Sequence, residues 1–313
     1  MKVRFWGVRG SIPTPLTPEA IRSKIATVLQ RVKPEDLVSA ERREQFLANL
    51  PPWLFGTVGG NTSCIEISFH PSYSIILDGG SGLRELGVSL SKRNQKVRHF
   101  HIFFSHFHWD HLQGIPFFHP LFDPECHVHF YSPVKELKSI LEGQMNTPYF
   151  PVPLSYARAT LKFHLLQNSP ISFPSGKVVW KQMNHPGGCY AYQVTDGKSR
   201  VIYATDSELT QKDFERSKEN IDFFEGVDAI ILDSQYTLGE AVEKYNWGHS
   251  SFSLAVDFAA EWNMKRLYLF HHEPLYNDKK IHNNLQSARW YYRHLERSGL
   301  EILLAEEGLE FDI

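Results

Sequence analysis

Runs such as SIILD at 74–78, VIYATD at 201–206, AIILDS at 229–234 and RLYLFHH at 266–272 are apolar on consecutive positions, then stop at a polar or glycine-rich turn. A strand with one wet face alternates apolar and polar residues, whereas a strand covered on both faces does not. VRFW at 3–6, CIEISF at 64–69, HFHIFF at 99–104 and LEILLA at 300–305 extend the series. Helical stripes lie between them: Leu254, Phe258, Ala259 and Trp262 form one, and Leu285, Ala288, Tyr292 and Leu295 another, at three-to-four spacing. Doubly covered strands mixed with amphipathic helices require a layered α/β fold.

One segment departs from this pattern. Residues 15–55 are charged and helix-like, with Ile21, Ile25, Val28 and Val32 on one face and Phe46, Leu47 and Leu50 on another, until Pro51-Pro52 breaks the run. They read as a helical insertion between two N-terminal strands of a single domain spanning 1–313. A cap or homodimer arm is one role for it, and a plain part of the scaffold is the other.

A net charge of −2 over 313 residues supplies no general basic field for a nucleic-acid backbone. Three cysteines (Cys64, Cys126, Cys189) without CxxC spacing point to free thiols in a reducing compartment. No apolar stretch approaches the roughly 20 residues that span a bilayer. MKVRFWGVRGS reads as a strand and a glycine loop, not a signal peptide. The expected setting is cytoplasmic, with no membrane partner.

The chemistry concentrates in SHFHWDHLQG at 105–114. His106, His108, Asp110 and His111 follow a buried-strand pattern directly. Nitrogen and carboxylate donors without cysteine suit zinc, and also manganese or iron. As the chain turns from strand into loop and helix, His106 and His108 project one way and Asp110 and His111 lie at the next helical start. That arrangement offers two ligands to each of two metals. The missing ligands belong at other strand ends, which alone converge from distant sequence. His185 follows VVWKQM, Asp206 closes VIYATD and His271 closes RLYLF. Asp206 can bridge. One metal then has His106, His108, His185 and Asp206, and the other has Asp110, His111, His271 and Asp206.

HFHWDH, NHPGG, ATD and the later LFHH, in this order, resemble the metallo-β-lactamase superfamily. They look most like its phosphodiesterase branch, which includes ribonuclease Z and the PhnP-type cyclic phosphodiesterases. FWGVRGSIPTP, GGNTSCIEI, LDGGSGLREL and WGHSS carry the likeness from the first residues to about residue 275. The resemblance implies a four-layer αββα sandwich with a dinuclear site at the edges of two sheets. The insertion at 15–55 departs from the compact family pattern.

Other polar residues are set aside. His272 adjoins His271, but successive residues at a strand end point to opposite sides, and the family pattern prefers His271. His127 and His129 in CHVHFYSP alternate along a strand-like run with no carboxylate nearby, which favours a structural role. Cys189 is read as a buried thiol. Asp78 corresponds in the family to a supporting carboxylate rather than a ligand.

Two cations about 3.5–4 Å apart lower the pKa of a shared water and clamp attacking and leaving oxygens. Asp110 then holds one metal and helps orient the hydroxide. His249, in NWGHSS, matches the histidine that the phosphodiesterase branch carries outside its metal set and is the candidate proton donor to the leaving group. Ser250 is the candidate cap of the next helix. The expected activity is two-metal hydrolysis of a small cyclic phosphodiester, of the cyclic nucleotide or ribose cyclic phosphate type. A tRNA 3′-processing endonuclease ranks behind it, because no basic arm is evident. A metal- or ligand-binding regulator without turnover and a β-lactamase or thioester hydrolase rank lower still. The aromatics of the loop at 144–160 are read as packing residues.

Overall fold

The computed structural model describes residues 1–92, 97–167 and 170–313. Its strands are β1 (Lys2–Gly7), β2 (Cys64–Ser68), β3 (Tyr73–Leu77), β4 (His99–Phe103), β5 (His127–Ser132), β6 (Thr160–Leu165) and β7 (Ile171–Phe173). The remainder are β8 (Gly176–Met183), β9 (Cys189–Thr195), β10 (Arg200–Ala204), β11 (Ala229–Asp233), β12 (Arg266–Phe270), β13 (Glu301–Leu304) and β14 (Glu310–Asp312). They form two seven-stranded sheets, ordered β14-β1-β2-β3-β4-β5-β6 and β13-β12-β11-β10-β9-β8-β7. In the first sheet β3 to β6 run parallel and the other pairs antiparallel. The second repeats that division, with β10 to β13 parallel.

Three apolar layers hold the sheets. Between them Phe5, Phe103, Tyr192, Tyr203 and Phe270 are buried together. A second layer joins the first sheet to its outer helix and loops through Leu83, Leu86, Phe100 and Phe130. A third joins the second sheet to its outer helices through Phe258, Trp262, Leu285 and Tyr292. This is the four-layer αββα sandwich, and it explains why the central strands, such as β3, β10, β11 and β12, read as continuous apolar runs: each of these has a core on both sides. Burying one such aromatic contributes about 1.5–3 kcal/mol.

The helices are α1 (Pro18–Arg31), α2 (Ala40–Ala48), α3 (Pro52–Phe55), α4 (Gly82–Leu90), α5 (Leu137–Gln144), α6 (Gln211–Phe214), α7 (Lys218–Phe224), α8 (Leu238–Glu243), α9 (Phe252–Glu261) and α10 (Asp278–Arg293). Both stripes read from the sequence lie on α9 and α10 and their C-terminal turns, packed on the second sheet. The cap of α9 is Ser251, whose side chain accepts from Leu254 N, rather than Ser250. Ser250 Oγ instead accepts from Leu209 N and donates to Ser207 O. Among the described residues no helix is long and apolar enough to cross a membrane.

Between β1 and β2 the chain forms α1, α2 and α3. Thr17 caps α1 by accepting from Ala20 N, and Pro18 opens it. No residue of α1 is buried: Ile21 and Ile25 are 46% and 56% exposed. Of the first apolar face read at 15–55, Ile21 and Ile25 are therefore exposed and Val28 and Val32 half-buried, while of the second Phe46 and Leu47 are half-buried and Leu50 is buried. The segment is tied down by the buried Leu50 and Leu54 and by Lys24 Nζ, which donates to Asp278 Oδ2 at 2.6 Å at the start of α10.

Candidate metal centre

The parallel halves of the two sheets end on the same side of the molecule, and the residues just past those ends meet there. Open α/β sheets commonly carry their sites at the carboxyl ends of parallel strands. Asp78 follows β3, His106 and His108 follow β4, Asp206 follows β10, Asp233 closes β11 and His271 follows β12. Three of these leave their strands in the left-handed region, with φ of 61° at Asp78, 44° at Asp206 and 60° at His271. Such backbone costs roughly 1–3 kcal/mol per residue and clusters where function requires a particular side-chain direction.

All seven residues singled out as ligands come together in two groups. His106, His108, His185 and Asp206 form one; Asp110, His111, Asp206 and His271 form the other. The offered ligand atoms lie within 4.8 Å of one another in each group. Asp206 is common to both and divides its oxygens. Its Oδ2 lies 3.6 Å from His106 Nε2 and 3.9 Å from His185 Nε2, while its Oδ1 lies 3.2 Å from both His111 Nε2 and His271 Nε2. Asp110 Oδ2 lies 3.2 Å from His111 Nε2 and 3.3 Å from His271 Nε2. His185 Nε2 approaches His108 Nδ1 to 3.2 Å.

Outer contacts orient the rings. His111 Nδ1 bonds Asp78 Oδ2 at 2.7 Å, His185 Nδ1 bonds Gly248 O at 2.9 Å, and His271 Nδ1 bonds Gln235 Oε1 at 3.1 Å. An oxygen acceptor on one ring nitrogen keeps the proton there and leaves the other lone pair facing the centre. Asp78 supports rather than faces the centre: it also accepts from Ser105 N, Ser105 Oγ and Tyr203 Oη.

The electrostatics divide the two groups. Burial pushes the pKa values of His106, His108 and His185 down, so the first group is a set of neutral imidazoles around one carboxylate. In the second, burial opposes charge on His111, but Asp110, Asp206 and Asp78 outweigh it and hold its pKa well above the usual imidazole value. Burial would likewise raise the Asp206 carboxyl, yet His271, His111 and His106 hold it well below the ordinary range. The centre demands positive charge. His106 Nε2 and His111 Nε2 are moreover buried with no hydrogen-bond partner. Unpartnered buried imidazole nitrogens beside carboxylates fit divalent cations.

His249 sits against this assembly, its ring 5.0 Å from that of His271 and 5.3 Å from that of His185. Its Nδ1 bonds Asp233 Oδ2 at 2.7 Å. Burial disfavours its charge, but Asp233 prevails and raises its pKa to about 9. Asp233 is itself fixed by Ser207 N and Gln235 N. Sequence reasoning missed it, although its context, AIILDS, matches that of Asp206 in YATDS. Asp233, His249 and His271 also form a third group with converging donor atoms.

Two glycines of the quoted motifs owe their identity to close approach. A Cβ on Gly10 would lie 2.6 Å from His271 Cε1. One on Gly248, at φ 89°, would lie 2.2 Å from His185 Nδ1. From the same N-terminal loop Ser11 N donates to Asp110 Oδ2 at 2.8 Å.

The residues set aside lie elsewhere. His272 is buried facing away, its Nε2 bonding Ala305 O at 2.9 Å. Cys189 is a buried free thiol whose pKa burial pushes up. His127 and His129 lie on β5, away from the centre. In the loop at 144–160 the packing reading holds for Phe150, which lies against Phe117. It does not hold for Tyr149 and Tyr156, which are 79% and 70% exposed.

Comparison with known proteins agrees with the architecture. Residues 73–272 match the family described as the Beta-lactamase superfamily domain. A ribonuclease Z from Picrophilus torridus is 24% identical over 273 residues, covering 72% of this chain and 85% of that protein. A crystal structure of a diphosphatase from the PhnP family superposes with a TM-score of 0.64 at 16% identity, covering 100% of this chain and 97% of the other. The short form of human tRNase Z superposes with a TM-score of 0.61 at 16% identity, covering 100% and 99%.

Proposed function

The chain belongs to the beta-lactamase superfamily, and on that premise we propose that it is a metal-dependent phosphodiesterase acting on a small cyclic phosphodiester. The observation that carries this reading is His249, held by Asp233 at 2.7 Å beside seven converging ligand side chains.

His106, His108 and His185 would hold one divalent cation, Asp110, His111 and His271 a second, with Asp206 serving both. Zinc suits so many imidazoles best, and manganese or iron are accepted by the same donors. Cations there supply the charge that acidifies water and offsets the negative charge gathering at phosphorus. The chain's own residues do the rest. Asp110, anchored by Ser11 N, orients the attacking side. Asp78, Gln235 and the Gly248 carbonyl keep the imidazoles aimed inward. His249 bonds Asp233 through Nδ1, which leaves Nε2 to give a proton to the departing alkoxide.

A cleft of about 340 Å³ adjoins His249, lined by Leu209, Leu238, Val242, Tyr245 and Leu254, with Glu208 and Asp257 but no lysine or arginine. None of the seven ligand residues lines it. In this reading residues 1–313 are one hydrolase unit with 15–55 inserted between its first two strands. The three buried free cysteines suit a reducing, cytoplasmic setting.

The similarity to a ribonuclease Z supports a second reading, a tRNA 3′-processing endonuclease. Turnover by zinc- or manganese-loaded protein of bis-p-nitrophenyl phosphate, cyclic mononucleotides, cyclic dinucleotides, ribose cyclic phosphate and precursor tRNA separates the two. Hydrolysis of a cyclic phosphodiester is expected. Cleavage of precursor tRNA alone would overturn the first reading for the second, and inactivity at confirmed metal occupancy would leave a binding protein.

A further inference from the structure

Of the seven ligand side chains at the metal centre, six are buried and His108 alone is exposed. The centre therefore opens to solvent at His108, and a substrate phosphate enters from that side. The next residue along the chain, Trp109, is 84% exposed, more than any other of the seven tryptophans. It stands between a ligand of the first group, His108, and one of the second, Asp110. The short 3₁₀ turn Trp109–His111 carries Asp110 and His111 into the centre and leaves the indole at its rim.

The indole has no partner. Among the described residues it packs on no aromatic ring, meets no cation and donates no hydrogen bond through Nε1. Trp290, also exposed, packs instead on His294 with ring centroids 4.1 Å apart. An indole left in water forgoes the stabilisation that burial brings. A second one lies nearby in the chain of contacts. His108 Nδ1 is 3.2 Å from His185 Nε2, and His185 is oriented by Gly248 O. The residue before that glycine, Trp247, is exposed too, with Lys244 Nζ 5.7 Å from its ring. Of the two, Trp109 offers the unoccupied ring.

Resting on the phosphodiesterase reading, we propose that Trp109 is the stacking platform for a nucleobase, so that the substrate is a cyclic nucleotide rather than a base-free sugar phosphate. Trp109 follows a ligand directly, one Cα step of about 3.8 Å. A base joined through one sugar to a phosphate at the centre falls within reach of its ring. Every base has a π-face, so stacking selects for the presence of a base without choosing strongly among bases. The platform acts on binding and leaves bond breaking to the ligand groups and His249.

The test compares the zinc-loaded natural chain with Trp109→Leu and Trp109→Phe. Cutting back so exposed a side chain opens no cavity, so both variants should fold. In equilibrium dialysis Trp109→Leu should weaken AMP binding by about tenfold relative to ribose 5-phosphate, the base-free counterpart. Trp109→Phe keeps a planar ring and should recover most of that loss. In turnover, Trp109→Leu should raise KM for cyclic AMP more than KM for ribose cyclic phosphate, with kcat moving less than KM. Equal weakening of AMP and ribose 5-phosphate, or of neither, would overturn the platform, whichever substrates the chain hydrolyses. Base-dependent binding through Trp109 without turnover of any cyclic phosphodiester would overturn the phosphodiesterase reading and keep Trp109 as a nucleobase platform.

Discussion

Strand β4 carries histidines at both ends of its run, and the two ends differ in what surrounds them. Past its carboxyl end, His106, His108 and His111 meet Asp110 and Asp206, and several outer nitrogens are held by oxygen acceptors. Near its amino end, His99 and His101 meet mainly other imidazoles and tyrosines. The carboxylates make the difference: they hold His111 up in pKa, whereas burial and neighbouring rings hold His101 down at about 3. Histidine density marks both places, and charge balance sets them apart.

The comparison breaks most severely at Asp206. Asp206→Ala removes the carboxylate shared by both groups, so metal content and activity should fall together, activity by on the order of 10³-fold. Full metal occupancy by elemental analysis would refute the shared role. His249→Ala should keep both metals and lose about 10²-fold or more in turnover on an unactivated diester. A near-normal rate would remove the acid role, and loss of one metal would make His249 a ligand. Asp78→Asn keeps the shape but weakens the hold on His111, and metal affinity should drop by about 10–100-fold. An unchanged zinc affinity in a chelator competition would show that Asp78 only fills space.

The other end of β4 makes the smallest prediction. His101 and His129 have pKa values of about 3 and about 4 in the folded chain, against about 6.5 when unfolded. Below about 6.5 the unfolded chain binds more protons, so this stability is full above that value and is lost as the pH falls towards the folded values. His101→Phe has no proton to bind, and its Tm should fall less on acidification, by about 2–4 °C. Parallel Tm curves for the two proteins would remove His101 from the acid response.

Much of the fold was legible because doubly covered strands leave a distinctive sequence pattern. The apolar runs ending near Leu77, Phe103, Ala204, Asp233 and Phe270 are all strands, to within a residue or two at their ends. β7 and β14, three residues each, are too short to show a period. β6, at the sheet edge, has no fully buried residue and so lacks the continuous apolar run that marks the central strands. The exposed face of α1 shows the converse failure: a helical period predicts an amphipathic helix, but nothing in the sequence says whether that face is covered.

The sequence alone determined the layered α/β class, the donor chemistry and the strand-end positions of the ligands, because burial and donor type are properties of short stretches. Only the tertiary structure decided which strand ends meet. Asp206 and Asp233 follow near-identical apolar runs on adjacent parallel strands, yet one faces both ligand groups and the other holds His249. The order of strands and a left-handed turn at Asp206 separate them, and both depend on contacts between residues far apart in the chain.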